Sequence, residues 1–170
     1  MLTGFAPVIG RQAQILILGS MPGAASLAVN EYYGLPRNAF WPIMGELFGA
    51  GRELPYPERL AILKEQGIAI WDVLKACERN GSLDSAINLR TAKVNDFPGL
   101  FRRHRSIRRV YFNGSKAAEI YRKRVLPDVQ LQAPYLSHDR LPSTSPAMAT
   151  LNFEQKLAAW SVLKPSRDPD

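Results

Sequence analysis

The sequence contains little cysteine and little histidine. Its 170 residues include one cysteine, Cys77, and two histidines, His104 and His138. One cysteine excludes an internal disulfide, a cysteine-ligated iron–sulfur cluster and a multi-cysteine zinc site, and two histidines exclude a His-rich metal site. We therefore expect a protein that works without a metal or another cofactor.

Apolar runs near the start of the chain are short. The most apolar one, residues 15–18, is followed by Gly19, Pro22 and Gly23, whereas a membrane helix needs about 20 apolar residues. This pattern predicts a buried strand followed by a loop rather than a membrane span. We expect a soluble, cytoplasmic protein.

Positive charge exceeds negative charge. Lys and Arg number 22 and Asp and Glu number 15, which gives a net charge of +7, while 46% of the residues are hydrophobic, as in ordinary globular domains. A basic balance suggests a polyanionic partner. The densest basic run, residues 102–109, lies at the start of the third predicted strand, opposite the end where the site is expected, so it is equally well explained as a solvated surface.

Strands and helices alternate along the chain. This order predicts a three-layer αβα sandwich with a mostly parallel, about four-stranded central sheet. We expect one domain over residues 1–163 and a frayed tail over 164–170. The predicted strands are 14–18, 68–71, 107–112 and 129–131; the predicted helices begin at Asn38, near Pro57, at Asp96, at Ser115 and at Thr150; the predicted loops are 19–37, 78–95 and 134–149.

The segments that follow the predicted strands contain the candidate functional residues. In parallel sheets the site lies beyond the carboxyl ends of the strands. From the residues alone, Asn38 and Asp72 could each be a helix cap, and Tyr33 could be a loop-packing aromatic. Phe40 and Trp41 have the spacing of core residues.

Three blocks of the sequence carry motifs: GSMPG at 19–23 followed by YGLPRNAFW at 33–41 is the first, IWDVLKACERNGSLD at 70–84 is the second, and LPSTSPA at 141–147 is the third. Together they resemble the uracil-DNA glycosylase superfamily, and the hypoxanthine-DNA glycosylase branch in particular. Each block alone is weakly specific, but all three occur in the family's order. The resemblance covers about residues 14–160.

The resemblance implies roles for residues near the base. Mismatch-specific relatives carry a water-positioning Asn in the first block, where this chain has Ser20 or Met21. In the hypoxanthine branch the key amide lies in the Pro-x-Asn element, which makes Asn38 the catalytic candidate here. By the same resemblance Tyr33 stacks on the base, Asp72 reads it, and the base-binding turn is Gly19, Ser20 and Met21.

The resemblance also implies how DNA is held. Ser143, Thr144 and Ser145 of the third block are expected to grip the DNA backbone, because small hydroxyl residues and backbone N–H groups suit phosphates. Lys116, past the third predicted strand, is a further DNA contact. A plain Ser-Pro turn is the alternative for the third block.

The implied function is removal of deaminated bases from DNA, hypoxanthine first, by a monomer that needs no metal. The alternatives are a uracil or mismatch-specific glycosylase and a catalytically weakened module that binds damaged DNA. A small-molecule nucleotide binder is disfavoured, because the first loop lacks a phosphate-binding Gly-Lys signature.

Overall fold

The computed structural model describes residues 1–165 of the chain, so of the tail 164–170 that we expected to fray, residues 166–170 lie outside the described residues. The strands are β1 (Leu2–Thr3), β2 (Ile15–Gly19), β3 (Ile68–Asp72), β4 (Leu74–Arg79), β5 (Ile87–Val94), β6 (Arg109–Asn113) and β7 (Ser137–Leu141). The α-helices are α1 (Ala24–Val29), α2 (Phe40–Phe48), α3 (Tyr56–Glu65), α4 (Phe97–Arg103), α5 (Ser115–Arg124), α6 (Leu126–Gln132) and α7 (Phe153–Trp160).

A parallel sheet with the strand order β3-β2-β6-β7 forms the middle layer. Leu18 of β2 pairs with Trp71 of β3 on one side and with Phe112 of β6 on the other. Because the four strands are parallel, all their carboxyl ends meet at one edge of the sheet. The predicted fold class, a three-layer α/β sandwich around a four-stranded parallel sheet, is confirmed.

Successive residues of β2 pack into different cores, because side chains alternate between the two faces of a strand. Leu16 and Leu18 join a core that contains Phe97 of α4 and Tyr121 of α5. Ile17 joins a second core. The large members of that second core include Phe40, Trp41 and Trp160, all fully buried. The core roles predicted for Phe40 and Trp41 are thus confirmed, and helices cover both faces of the sheet.

A second sheet contradicts the prediction that residues 78–95 are irregular. It is antiparallel, with the order β1-β4-β5, and β4 and β5 form a hairpin whose connection includes a 3-10 turn at Asp84–Ala86. The prediction was wrong because β5 exposes or half-exposes all its residues except Ile87, and therefore lacks an apolar run. This hairpin borders the functional edge described below.

The fourth strand of the parallel sheet is also not where the sequence predicts it. Residues 129–131 belong to helix α6, on which only Val129 is buried. The strand is β7, inside the segment 134–149 that was predicted to be a loop. It lies at the sheet edge, where backbone pairing with β6 suffices, and only Leu141 of its five residues is buried.

Helix ends are partly as expected. Gly49 ends α2 in the left-handed conformation, and the side chain of Asp96 caps α4 through Gly99 N at 2.9 Å. The segment 19–37 contains α1, which the sequence did not predict. The final helix is capped by Asn152, which forms a capping box with Gln155, and not by Thr150.

Candidate active site

A cavity of about 480 Å³ opens at the carboxyl edge of the parallel sheet. Its lining comes from seven parts of the chain: the turn after β2, helix α1, the segment before α2, the end of β3, the hairpin tip, the end of β6, and the loop after β7. The residues concerned are 19–23, 25, 26, 32, 33, 35, 38, 72, 82–85, 113, 143–145, 147 and 148. The structure thus brings together nearly all the predicted site residues.

Gly19 and Asp72 lie side by side in this lining, because they are paired at the ends of β2 and β3. A Cβ atom on Gly19 would lie 2.5 Å from Asp72 Oδ1 and 3.2 Å from the Tyr33 hydroxyl. Glycine is therefore needed here for space, since real Cβ atoms do not approach this closely. The close packing also places the Asp72 carboxyl group and the Tyr33 hydroxyl next to each other.

Asp72 and Tyr33 carry buried polar atoms without partners. Asp72 is 4% exposed, and neither its Oδ2 atom nor the Tyr33 hydroxyl has a hydrogen-bond partner within residues 1–165. Burial raises the pKa of Asp72 to about 7; the charge of Asp84 adds to this rise and Arg79 opposes it. Burial also raises the pKa of Tyr33, so its hydroxyl keeps its proton. Buried polar atoms are rarely left unpaired, so these two groups are available to bond a ligand or a water molecule in the cavity.

The Tyr33 ring is held in place from one side. It stacks on Phe40 with ring centroids 4.0 Å apart, and its remaining surface lines the cavity. Its backbone has a φ of 55°, a left-handed conformation that is rare for a bulky residue. Arg52 donates to the carbonyls of Tyr33 at 3.1 Å and Leu35 at 2.6 Å, and so holds this segment.

Asn38 is half-buried and lines the same cavity. The residue at the N-cap of α2 is Ala39, so the predicted helix start is one residue early, yet Asn38 Oδ1 accepts a hydrogen bond from Phe40 N at 2.9 Å. A carbonyl oxygen has two lone pairs, so one remains for a ligand. The neighbouring Ala39 N–H donates to Thr144 O at 2.9 Å, which ties Asn38 to the third block.

The third block is held by Asn113, which the sequence analysis did not single out. Asn113 donates from Nδ2 to Thr144 Oγ1 and accepts from Thr144 N, both at 2.9 Å. Thr144 is 1% exposed, so we expect it to shape the loop rather than to grip phosphate. Ser143 and Ser145 are half-buried and line the cavity.

Lys116, the predicted further DNA contact, lies outside the cavity, and so does the histidine His138. Lys116 is not part of the cavity lining; it is half-buried in the first turn of α5, directly after the carboxyl end of β6. His138 lies in β7, where its Nε2 is 2.9 Å from the Tyr121 hydroxyl, and it is not in the cavity lining either.

The hairpin tip supplies residues that the sequence analysis missed. Asp84 accepts a hydrogen bond from Ser20 Oγ at 2.5 Å, and Ser82 Oγ accepts one from Ala24 N at 2.9 Å. Arg79 donates to Pro22 O at 2.8 Å. The family-like block 70–84 contains Asp84, but a role for it becomes visible only once the hairpin is recognised.

The described part of the chain has neither a metal-binding cluster nor a membrane-spanning helix. Within residues 1–165, no group of three or more His, Cys, Asp or Glu side chains is placed to hold a metal ion. Over the same range, no helix has the length and apolar character needed to cross a membrane.

Comparison with known proteins identifies the family. The family model of the uracil DNA glycosylase superfamily matches residues 6–164. A Methanosarcina acetivorans protein named hypoxanthine DNA glycosylase is 39% identical over 133 residues, which cover 73% of this chain and 83% of that protein. A protein of the same name from Methanosarcina barkeri is 40% identical over 117 residues, covering 68% and 73%.

A solved structure agrees. A Methanosarcina acetivorans protein studied by solution NMR, described as a candidate uracil DNA glycosylase, superposes with a TM-score of 0.74 at 34% identity and covers 95% of this chain and 97% of its own. The chain therefore belongs to the uracil DNA glycosylase superfamily, and it is a DNA glycosylase that hydrolyses N-glycosyl bonds.

Proposed function

We propose that this glycosylase removes deaminated bases from DNA, with hypoxanthine as its preferred base. The observation that carries the proposal is the pair of unpartnered polar groups beside Gly19, the Asp72 carboxyl group and the Tyr33 hydroxyl. Hypoxanthine has a ring N–H next to a carbonyl. Above its pKa of about 7 the ionised Asp72 accepts from the N–H, whereas adenine offers an unprotonated ring nitrogen and an amino group at the same edge.

The names of the relatives support this choice of base, since both Methanosarcina proteins are called hypoxanthine DNA glycosylase. Uracil also has a ring N–H next to a carbonyl, so a uracil or mismatch glycosylase is the alternative that the same pair of side chains would serve. We further propose that the protein is cytoplasmic and monomeric, and that residues 1–163 contain the whole activity.

The flipped base would be held by stacking on Tyr33. Flipping a nucleotide costs a few kcal/mol, and stacking on an aromatic ring contributes about 1–3 kcal/mol per base. Phe40 packs against Tyr33 from behind and so keeps the ring in place without the base. Ser143, Ser145 and Lys116 would hold the DNA backbone around the flipped nucleotide.

Bond cleavage would leave an oxocarbenium-like sugar and an anionic base. The C1′ atom of this sugar is strongly electrophilic, so the neutral Asn38 amide suffices to orient the attacking water through its carbonyl oxygen. No lysine is among the described residues that line the cavity. We therefore propose a monofunctional glycosylase, and borohydride trapping of a covalent DNA adduct on the wild-type protein would contradict that.

The test is single-turnover base release from duplexes that contain hypoxanthine, uracil, xanthine or a thymine mismatch. Hypoxanthine should be released fastest. Asn38→Ala should lower its release about 100-fold or more, while duplex binding is retained. Asn38→Ser keeps a helix-capping hydroxyl but lacks the amide, so it should be equally slow. Asn88→Ala, at an exposed position on β5, is the matched control and should behave as wild type.

Each outcome has a meaning. Unchanged release by Asn38→Ala would refute the catalytic role of Asn38, and fastest release of uracil would favour the alternative substrate. Tight, salt-dependent binding of damaged duplexes without release of any base would identify a binding module instead.

A further inference from the structure

The attacking water has to lose a proton, and Asn38 cannot take it. A neutral carboxamide orients water but is too weak a base to keep its proton. The carboxylates in the cavity lining are Asp72 and Asp84. Asp72 is nearly fully buried, whereas Asp84 lies exposed on the hairpin tip, where solvent reaches it.

Ser20 connects Asp84 to the interior of the cavity. Its side chain is 8% exposed, it lines the cavity, and its hydroxyl donates to Asp84 Oδ1 at 2.5 Å. A hydroxyl that donates its only proton to a carboxylate retains its oxygen lone pairs as acceptors. Ser20 Oγ thus keeps acceptor capacity for a second donor, such as water, in the cavity that it lines.

Two further contacts fix this arrangement. Ala24 N donates to Ser82 Oγ at 2.9 Å and Arg79 donates to Pro22 O at 2.8 Å, so the hairpin tip is tied to the turn that contains Ser20 at three points. The charges of Asp84 and Arg79 both act on Asp72, which lines the same cavity. The geometry is therefore held from both sides of the cavity rim.

We propose that Ser20 and Asp84 form a hydroxyl–carboxylate pair that removes the proton from the attacking water, a role that rests on the proposed glycosylase function. As the bond between C1′ and the base nitrogen breaks, its electron pair stays with the base. The water oxygen bonds to C1′, a water proton moves to Ser20 Oγ, and the Ser20 proton moves to Asp84 Oδ1. Asp84 then releases its proton to solvent, from which the base anion takes one. Ser20 is the catalytic residue, and Asp84 is the positioning residue that acts through it.

Asp84→Asn separates this role from a structural one. The asparagine keeps a carbonyl oxygen that can accept from Ser20 but cannot take the proton. We expect single-turnover release of hypoxanthine from a deoxyinosine duplex to fall about 100-fold, the lower end of what acid–base groups contribute, with duplex affinity unchanged or tighter. A release rate equal to wild type would overturn the proposal, because the residue would then only tether the hairpin.

Ser20→Ala separates proton transfer from simple charge. This variant keeps the Asp84 carboxylate but removes the hydroxyl between it and the water. The proposal predicts a similar loss, and the double variant Ser20→Ala with Asp84→Asn should be at most about 3-fold slower than either single one, because groups that act as a unit are not additive. Wild-type rates for Ser20→Ala, or multiplied losses in the double variant, would overturn it.

Controls keep the result clear. Asp128→Asn, at an exposed position on α6, should match wild type in rate and affinity. Thermal melting checks that each variant folds. If Ser20→Ala does not fold, the test rests on Asp84→Asn, which preserves the hydrogen bond. If wild type releases no base, the proposed function fails together with this inference; if wild type is active and Asp84→Asn equals it, the inference alone fails.

Discussion

Replacing Asp72 with asparagine should stabilise the protein at neutral and alkaline pH. The carboxyl group is buried beside Gly19 and Tyr33, and its Oδ2 atom has no hydrogen-bond partner in the described part of the chain. Burial therefore favours the protonated form of Asp72 and raises its pKa from 3.8 to about 7. Keeping this group ionised in the folded protein has a cost, which asparagine removes because it cannot ionise.

The size of the effect follows from proton linkage. Between pH 4 and 7 the folded state holds a proton on Asp72 that the unfolded state has lost, so the free energy of unfolding falls as pH rises through this window. The difference between the ordinary pKa of 3.8 and the pKa of about 7 for Asp72 in the folded protein corresponds to about 4 kcal/mol of lost stability at pH 8. Below pH 4 the group is protonated in both states and contributes no pH dependence.

Urea unfolding of wild type and Asp72→Asn from pH 4 to pH 8 measures this. The gap between the two proteins should widen by about 4 kcal/mol, or by about 2 M in the urea midpoint if the m-value is near 2 kcal/mol/M. The difference at pH 4 reports the exchange of one neutral group for another. Asp128→Asn, at an exposed position, should show no such widening.

The functional part of the experiment uses the same variant. An asparagine can donate as well as accept, so Asp72→Asn should reduce the preference for hypoxanthine over adenine in base release. A stability gap that stays constant with pH would show that Asp72 is not destabilised by burial. An unchanged base preference would refute its role as a base reader.

Three further substitutions test the structure around the cavity. Gly19→Ala places a Cβ atom 2.5 Å from Asp72 Oδ1, so base release should fall at least 10-fold and the melting temperature should drop; full activity would refute the tight packing. Asn113→Ala leaves the Thr144 N–H buried without its partner, so unfolding should become about 2 kcal/mol easier and DNA affinity, measured by fluorescence anisotropy, should weaken; unchanged values would contradict the loop's dependence on Asn113. Arg52→Ala removes the Nη2 atom that donates to the carbonyls of both Tyr33 and Leu35, so single-turnover release should slow about 10-fold with less change in DNA affinity, and an equal loss of both would point to a general disruption.

The local pattern of the sequence was enough to predict the central strands. β2 and β3 are apolar over nearly their whole length because they are covered on both faces. Such an apolar run can be recognised in the sequence without knowledge of the neighbouring strands. The end of α2 at Gly49 and the cap of α4 at Asp96 are local as well, since each depends on residues within one turn. The motif blocks indicated the family, which comparison with known proteins confirmed.

What the local pattern did not reveal depends on distant partners. β7 has mostly polar residues, and it becomes a strand because its backbone pairs with β6 at the edge of the sheet. The hairpin of β4 and β5 exposes most of one strand and is formed by pairing across its turn.

The sequence by itself determined the family, the parallel core and most of the residues around the cavity, because these follow from motifs and from apolar periodicity within short segments. Only the tertiary structure decided that Asp84 meets Ser20 and that Asn113 holds Thr144. These pairs are separated by 64 and 31 positions along the chain. A hydrogen bond between residues so far apart in the sequence depends on how sheets and loops pack. The residues next to each partner in the sequence do not indicate which distant residue it will meet.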